Sequence, residues 1–278
     1  MNIIEMIKQG LRVARTSRSL WLYGFFVGLA ATANNAHRGH APAPPAAHVP
    51  TVAMAVLGVA GLAVIAAAIF MYFVSEGALI EGVRRLRLAE PPTLRKGWHD
   101  GLAHWGVLLR IAVIYFATSA ASLAALATPF LLALKLSGTT LAVILAIPAA
   151  LIAVPWLATL YMWQAFAARI AVIENRHALD AIGKARLFLH GRLLHGLKLI
   201  VAAILGRTIV LIAGSVGIAA AALSIFLVQK ALGLATTAVP LVALGAIVLL
   251  PLIFILIAIS GTTQSSIWTI GYLTQEQK

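Results

Sequence analysis

Long apolar runs divide this chain, and they constrain its fold more than any motif does. Val52–Val74, Trp105–Leu134, Leu141–Ala168, Gly196–Val228 and Val239–Ile259 can each cross the ~30 Å hydrocarbon core of a bilayer as a helix. Inside that core a backbone must satisfy its own hydrogen bonds, so the runs are read as helices. Leu20–Ala33 is equally apolar but has only 14 residues, about 21 Å as a helix. It must borrow flanking residues, thin the bilayer or re-enter it. With it included, the expected fold is an all-α polytopic bundle of six transmembrane helices. Composition agrees: 62% of the chain is hydrophobic and 10% charged, against roughly half and a quarter in soluble domains.

The polar segments between the runs set the orientation. Of the 21 Lys and Arg residues, Arg38, Lys135 and Lys230 fall on outer loops and Arg110 and Arg207 within spans. The rest lie on the segments that share a side with the N-terminus, as do all eight acidic residues. Lysine and arginine accumulate on the cytoplasmic side of membrane proteins. The expectation is therefore an inner-membrane protein with N- and C-termini both cytoplasmic. The net charge of +13 is explained by this distribution, and nucleic acid is not an expected partner. Anionic membrane lipids are, through Lys8, Arg12, Arg15, Arg84, Arg85, Lys96, Lys184, Arg192 and Lys198. A membrane-protein partner or a second copy of the chain is a further expected partner.

Residues 2–19 read as an amphipathic helix in the headgroup layer. Ile3, Ile4, Ile7, Leu11 and Ala14 form one stripe beside the Lys8, Arg12 and Arg15 stripe. Asn2 and Glu5 have the spacing of a capping box. Pro91-Pro92-Thr93 stops one helix and offers Thr93 as the cap of the next. Gly24 and Gly28 carry the small-residue spacing that lets helices approach closely, here within the bundle. The tail from Gln264 reads as short and polar, with Trp268 and Tyr272 placed like interface aromatics.

Lys8, Lys96 and Lys184 recur every 88 residues, as do Leu20, Leu108 and Gly196 at or near the starts of spans. One integral membrane domain over 1–278 is expected, with three parallel repeats, 1–88, 89–176 and 177–278. Each would be a basic amphipathic segment, a span out and a span back.

The basic helix running into LWLYGFF, and ARIAVIENRHALDAIGKARLFLHGR after the fourth run, are similar to a broad group of six-span bacterial membrane proteins. That group includes the membrane domain fused to some glycerophosphodiester phosphodiesterases. The most specific part is Ala171 to Ile182. The resemblance implies a bacterial inner-membrane location. The catalytic barrel of the fused proteins has no counterpart here, so it implies no activity.

Candidate sites are few. His37, His40 and His48 share one Pro-rich loop and are the only candidate metal ligands, without a carboxylate to complete a set. His99/His104 and His190/His195 are i, i+5 pairs, 140° apart on a helix, and cannot chelate as i, i+4 pairs would. Arg207 lies near mid-bilayer, where an ionised side chain costs about 3 kcal/mol and marks a candidate charge site. Its possible partners are Glu76, Glu81 or Glu174 at inner helix ends, kinked-helix carbonyls or an anionic ligand; the other reading, which also fits Arg110, is a long side chain snorkelling to the inner headgroups. The chain has no cysteine, hence no thiol nucleophile or thiolate metal site. No hydrolase, metalloprotease, P-loop or dinucleotide motif occurs. The sequence therefore reads as a non-enzymatic accessory, assembly or lipid-interacting protein with no catalytic residues and no cofactor. The alternative is a transporter of a small solute or anionic amphiphile through an inward-facing cavity at Arg207.

Overall fold

A computed structural model describes residues 2–36, 51–137, 139–231 and 239–276. It is 93% helix, with no strands among the described residues. Among the described residues eight α-helices follow one another: α1 (Ile3–Thr16), α2 (Trp21–Ala36), α3 (Thr51–Arg87), α4 (Leu94–Ser137), α5 (Thr139–Ile173), α6 (Ala178–Leu189), α7 (Leu193–Ala231) and α8 (Val239–Glu276). A 3-10 turn, Arg18–Leu20, joins α1 to α2. Five of them, α3, α4, α5, α7 and α8, are long and apolar enough to cross a membrane, so the chain is a multi-pass membrane protein. The 16 residues of α2 span about 24 Å, short of the hydrocarbon core.

The long helices outrun their apolar runs. With 37 residues α3 is about 55 Å long, and α8 with 38 is similar. Their polar ends therefore continue as helix beyond the hydrocarbon. Helix α4 starts at the expected place: the Lys96 backbone N–H donates to Thr93 Oγ1 at 3.4 Å. The Asn2/Glu5 capping box does not form. The Asn2 side chain makes no cap bond, and its backbone carbonyl accepts from the N–H groups of Glu5 and Met6 instead. Helices α3 and α5 end alike, on a left-handed residue, Ala89 (φ 60°) and Asn175 (φ 52°). In each case the next N–H reaches back five residues, Glu90 to Arg85 and Arg176 to Ala171, closing a Schellman turn.

The chain divides into two compact units. The first comprises residues 1–103 and 201–278, and α8 is its axis. Along it α2 runs antiparallel in very close approach. A methyl group on Gly24 would strike Thr262 Oγ1 and the Ala258 carbonyl, and one on Gly261 would strike the Gly24 carbonyl. Phe25 stacks on Phe254 at 4.3 Å. Gly24 and Gly28 of α2, predicted to pack inside the bundle, thus lie against α8. Helix α3 covers α2 through Ala78 and Leu79 against Leu20, Tyr23 and Val27. Helix α1 lies on the C-terminal part of α8, with Gly10 against Ile267. Its stripe is divided: Met6, Ile7, Gly10 and Ala14 are buried, whereas Ile4 is 60% exposed.

The second unit, residues 104–200, is built on α5. Helix α6 folds back along the C-terminal end of α5, with Phe166 and Phe188 at 5.2 Å and the Arg186 guanidinium 5.1 Å over the Trp163 ring.

One expectation is overturned at the C-terminus. The tail is not a short polar segment: α8 continues to Glu276, and Trp268 and Tyr272 are among the largest fully buried side chains. Its hydroxyls make this possible. Thr262 Oγ1 donates to the Ala258 carbonyl, Thr269 Oγ1 to Ser265 and Thr274 Oγ1 to Ile270, each four residues back. Hydroxyls that bond back to their own helix in this way can be buried without leaving a polar group unpaired.

Candidate functional site

The first unit carries a buried polar seam, and each unit by itself carries basic side chains at its surface. The seam is the α8 stretch Ser260–Thr269, where Ser260, Thr262, Thr263, Ser265, Ser266 and Thr269 are all buried. Helix α3 contributes buried Ser75, Glu76 and Glu81. Helices α3 and α8 run parallel, tied by Arg87 Nη2 donating to Thr274 Oγ1 at 2.9 Å and by Leu20, which lies against Gly82 and whose carbonyl accepts from Thr262 Oγ1. Ser75 Oγ, Thr263 Oγ1 and Ser266 Oγ find no hydrogen-bond partner among the described residues. Of this seam the sequence singled out Glu76 and Glu81, as possible partners of Arg207. The missed signal was the helical spacing of Thr262, Ser265, Ser266 and Thr269.

Arg207 lies on α7 and is half-buried. Its Nη2 donates to Thr32 Oγ1 at 3.3 Å. Thr32 is near the C-terminal end of α2, away from the end at which α1 and the last turns of α8 meet. Behind Arg207 the packing is close: a methyl group on Gly206 would lie 2.8 Å from Ile267 Cδ1. Arg110 is exposed, near the exposed Trp105.

In each unit, taken separately, the basic side chains are of two kinds. Some are held by acids. Arg84 forks onto Glu81 at 2.6 and 2.7 Å, and Arg85 reaches both Glu81 at 3.3 Å and Asp100 at 2.7 Å. This cluster brackets the Pro91-Pro92 break between α3 and α4. In the second unit Glu174 takes Lys184 at 2.6 Å and Arg176 at 2.7 Å, bracketing the turn between α5 and α6. Arg84, Arg85 and Lys184, expected as lipid contacts, are thus spent largely on internal pairs. The others, Lys8, Arg12, Arg15, Lys96, Arg192 and Lys198, are exposed and make no ion pair among the described residues. Arg192 also lies over the Phe188 ring at 5.4 Å.

Other candidates do not converge. His37, His40 and His48 lie outside the described residues. Among the described residues no three His, Asp or Glu side chains are placed to hold a metal ion. His99 and His190 are exposed, and His190 stands at the C-cap of α6.

Compared with known proteins, the chain matches no family model, no curated protein and no solved structure.

Proposed function

We propose that this is a non-enzymatic accessory or assembly protein of the bacterial inner membrane that holds anionic lipid with its unpaired cations. The observation that carries the reading is the division of the basic side chains. Six basic side chains stand exposed without acids, although acids on the same polar segments pair their neighbours. Each such cation near an anionic surface contributes about 1 kcal/mol.

Six crossings with both termini cytoplasmic go with this reading. Its support is the shared end of the first unit: Gly10 of α1 meets Ile267, and Arg87 at the end of α3 meets Thr274. Tyr23 at the start of α2 donates to the Leu94 carbonyl at the start of α4, at 2.6 Å. Antiparallel α2 then counts as a crossing, completed by flanking residues or a thinned bilayer. The repeat is supported by the common Schellman endings of α3 and α5, and by acid-bracketed turns after both.

The transport alternative draws on Arg207 and its bond to Thr32. The close packing behind Arg207 and the engagement of its guanidinium by Thr32 weigh against a cavity there, so lipid holding is preferred.

The test is lipid retention. The full chain, purified in mild detergent, is expected to keep phosphatidylglycerol in preference to phosphatidylcholine. Replacing Lys8, Arg12, Arg15, Lys96, Arg192 and Lys198 together by Gln should remove the preference. Equal retention of both lipids by the unaltered chain would end this reading.

A further inference from the structure

Among the first unit's basic side chains, those of α1 are the most organised. Met6, Ile7, Gly10 and Ala14 clamp this helix onto α8, so its opposite face is fixed in position. On that face Glu5, Lys8, Arg12 and Arg15 fall within about 80° of one another at 100° per residue. Lys8 to Arg15 covers two turns, about 10 Å along the axis.

Two adjoining surface concavities follow this strip. One is lined by Lys8, Leu11, Arg12, Arg15 and Thr16. It holds three cations and no acid. The other is lined by Asn2, Ile4, Glu5, Lys8, Gln9 and Arg12. It holds a carboxylate and two amide side chains beside the two shared cations. The first has the chemistry of a seat for a phosphate; the second can accept hydrogen bonds from hydroxyls and repels a second phosphate. Ile4, 60% exposed, and half-buried Leu11 flank the strip on one side, as a lipid-facing edge requires.

We infer that the exposed face of α1 is a headgroup site for a phospholipid whose single phosphodiester carries a hydroxylated substituent. The phosphate lies on Lys8, Arg12 and Arg15, and the hydroxyls reach Glu5 and Gln9. The inference rests on the lipid-holding reading and narrows it to one helix and one headgroup class.

The test uses the full chain in nanodiscs of phosphatidylcholine doped with either phosphatidylglycerol or phosphatidylethanol. Both dopants are singly charged diesters, and only the first has hydroxyls. Native mass spectrometry reads the lipid bound. Phosphatidylglycerol should bind several-fold more tightly than phosphatidylethanol. Replacing Arg12 and Arg15 by Gln should weaken both by roughly 25-fold, about five-fold per cation. Glu5→Ala should abolish the preference between the two while leaving phosphatidylethanol binding at least as strong. Arg84→Gln, which removes an internally paired cation, should change neither. Thermal melting of each variant confirms that it is folded, since all these substitutions are outside the core.

Unchanged binding in the Arg12/Arg15 variant overturns the inference, and so does equal affinity of the unaltered chain for the two dopants. Displacement of the lipid by millimolar inorganic phosphate would assign the seat to a soluble anion and also overturn it. If the six-fold Gln variant loses phosphatidylglycerol while the Arg12/Arg15 variant does not, the lipid-holding reading survives and only the α1 site fails. If the unaltered chain shows no preference for either anionic lipid over phosphatidylcholine, both fail.

Discussion

The two halves of α8 make opposite use of the same helix. From Ile247 to Phe254 it is apolar, and its large side chains stand exposed, Ile247 at 68% and Leu250 at 63%. From Ala258 to Tyr272 it is rich in Ser and Thr, yet almost every residue is buried. Helix α3 repeats the pattern. Met54 and Val56 to Ile69 are exposed, Val74 to Val83 is buried, and the buried part carries Ser75, Glu76 and Glu81. In water such an arrangement would be inside out. In a bilayer it is expected: lipid covers the apolar half at no cost, so protein–protein packing is driven by close backbone approach and polar contact.

The glycines state the same contrast. Gly24, Gly28 and Gly261 sit where a methyl group would meet another helix, whereas Gly58 and Gly61 face open space. Gly261→Leu should therefore cost about 4 kcal/mol or more and prevent stable assembly. Gly58→Leu should change stability by at most about 1 kcal/mol, in the stabilising direction, through helix propensity. Thermal melts in detergent would read both, and equal effects would break the comparison. Next in size, Trp268→Ala should cost about 3–5 kcal/mol because it empties a fully buried site. Trp98→Ala, at a ring 40% exposed, should cost under about 1 kcal/mol in the same melt.

Smaller effects sharpen the account of the basic side chains. Glu81→Gln removes the buried carboxylate that holds Arg84 and Arg85, and should cost about 2 kcal/mol, discounted because Arg84 is 40% exposed. Lys96→Gln, at an exposed cation with no acid, should stay within about 0.5 kcal/mol. The smallest expected effect is a gain. Ala89 holds φ 60° at the end of α3, so Ala89→Gly should stabilise by about 0.5–1 kcal/mol. A loss of stability there, by chemical denaturation, would count against the Schellman ending.

Hydropathy located the five long helices, because a run of apolar residues has only one use at that length. Thr93 as a cap and the Gly24/Gly28 contact were also readable, since local chemistry decides both. The burial of Ser260–Thr269 was not. Hydroxyls such as those of Thr262 and Thr269 look solvent-seeking until their own helix carbonyls, four residues back, are counted as partners. The tertiary partners were hidden for a different reason: Asp100 for Arg85 and Thr32 for Arg207 come from other helices, and no spacing along the chain connects them. Arg207 illustrates the limit. Its place within an apolar run could be read, but its bond to Thr32 near the end of α2 could not.

The proposed six-crossing topology puts the packed, polar halves of α3 and α8 at the cytoplasmic face together with both termini, and this proposal is open to direct measurement. The chain has no cysteine, so a single introduced one reports cleanly. Lys8→Cys marks α1 and Gln275→Cys marks the last turn of α8. With six crossings, neither should react with a membrane-impermeant maleimide added to intact cells, and both should react once the cells are opened. Labelling of one from outside and the other only from inside would show that α2 does not cross, and would contradict the account.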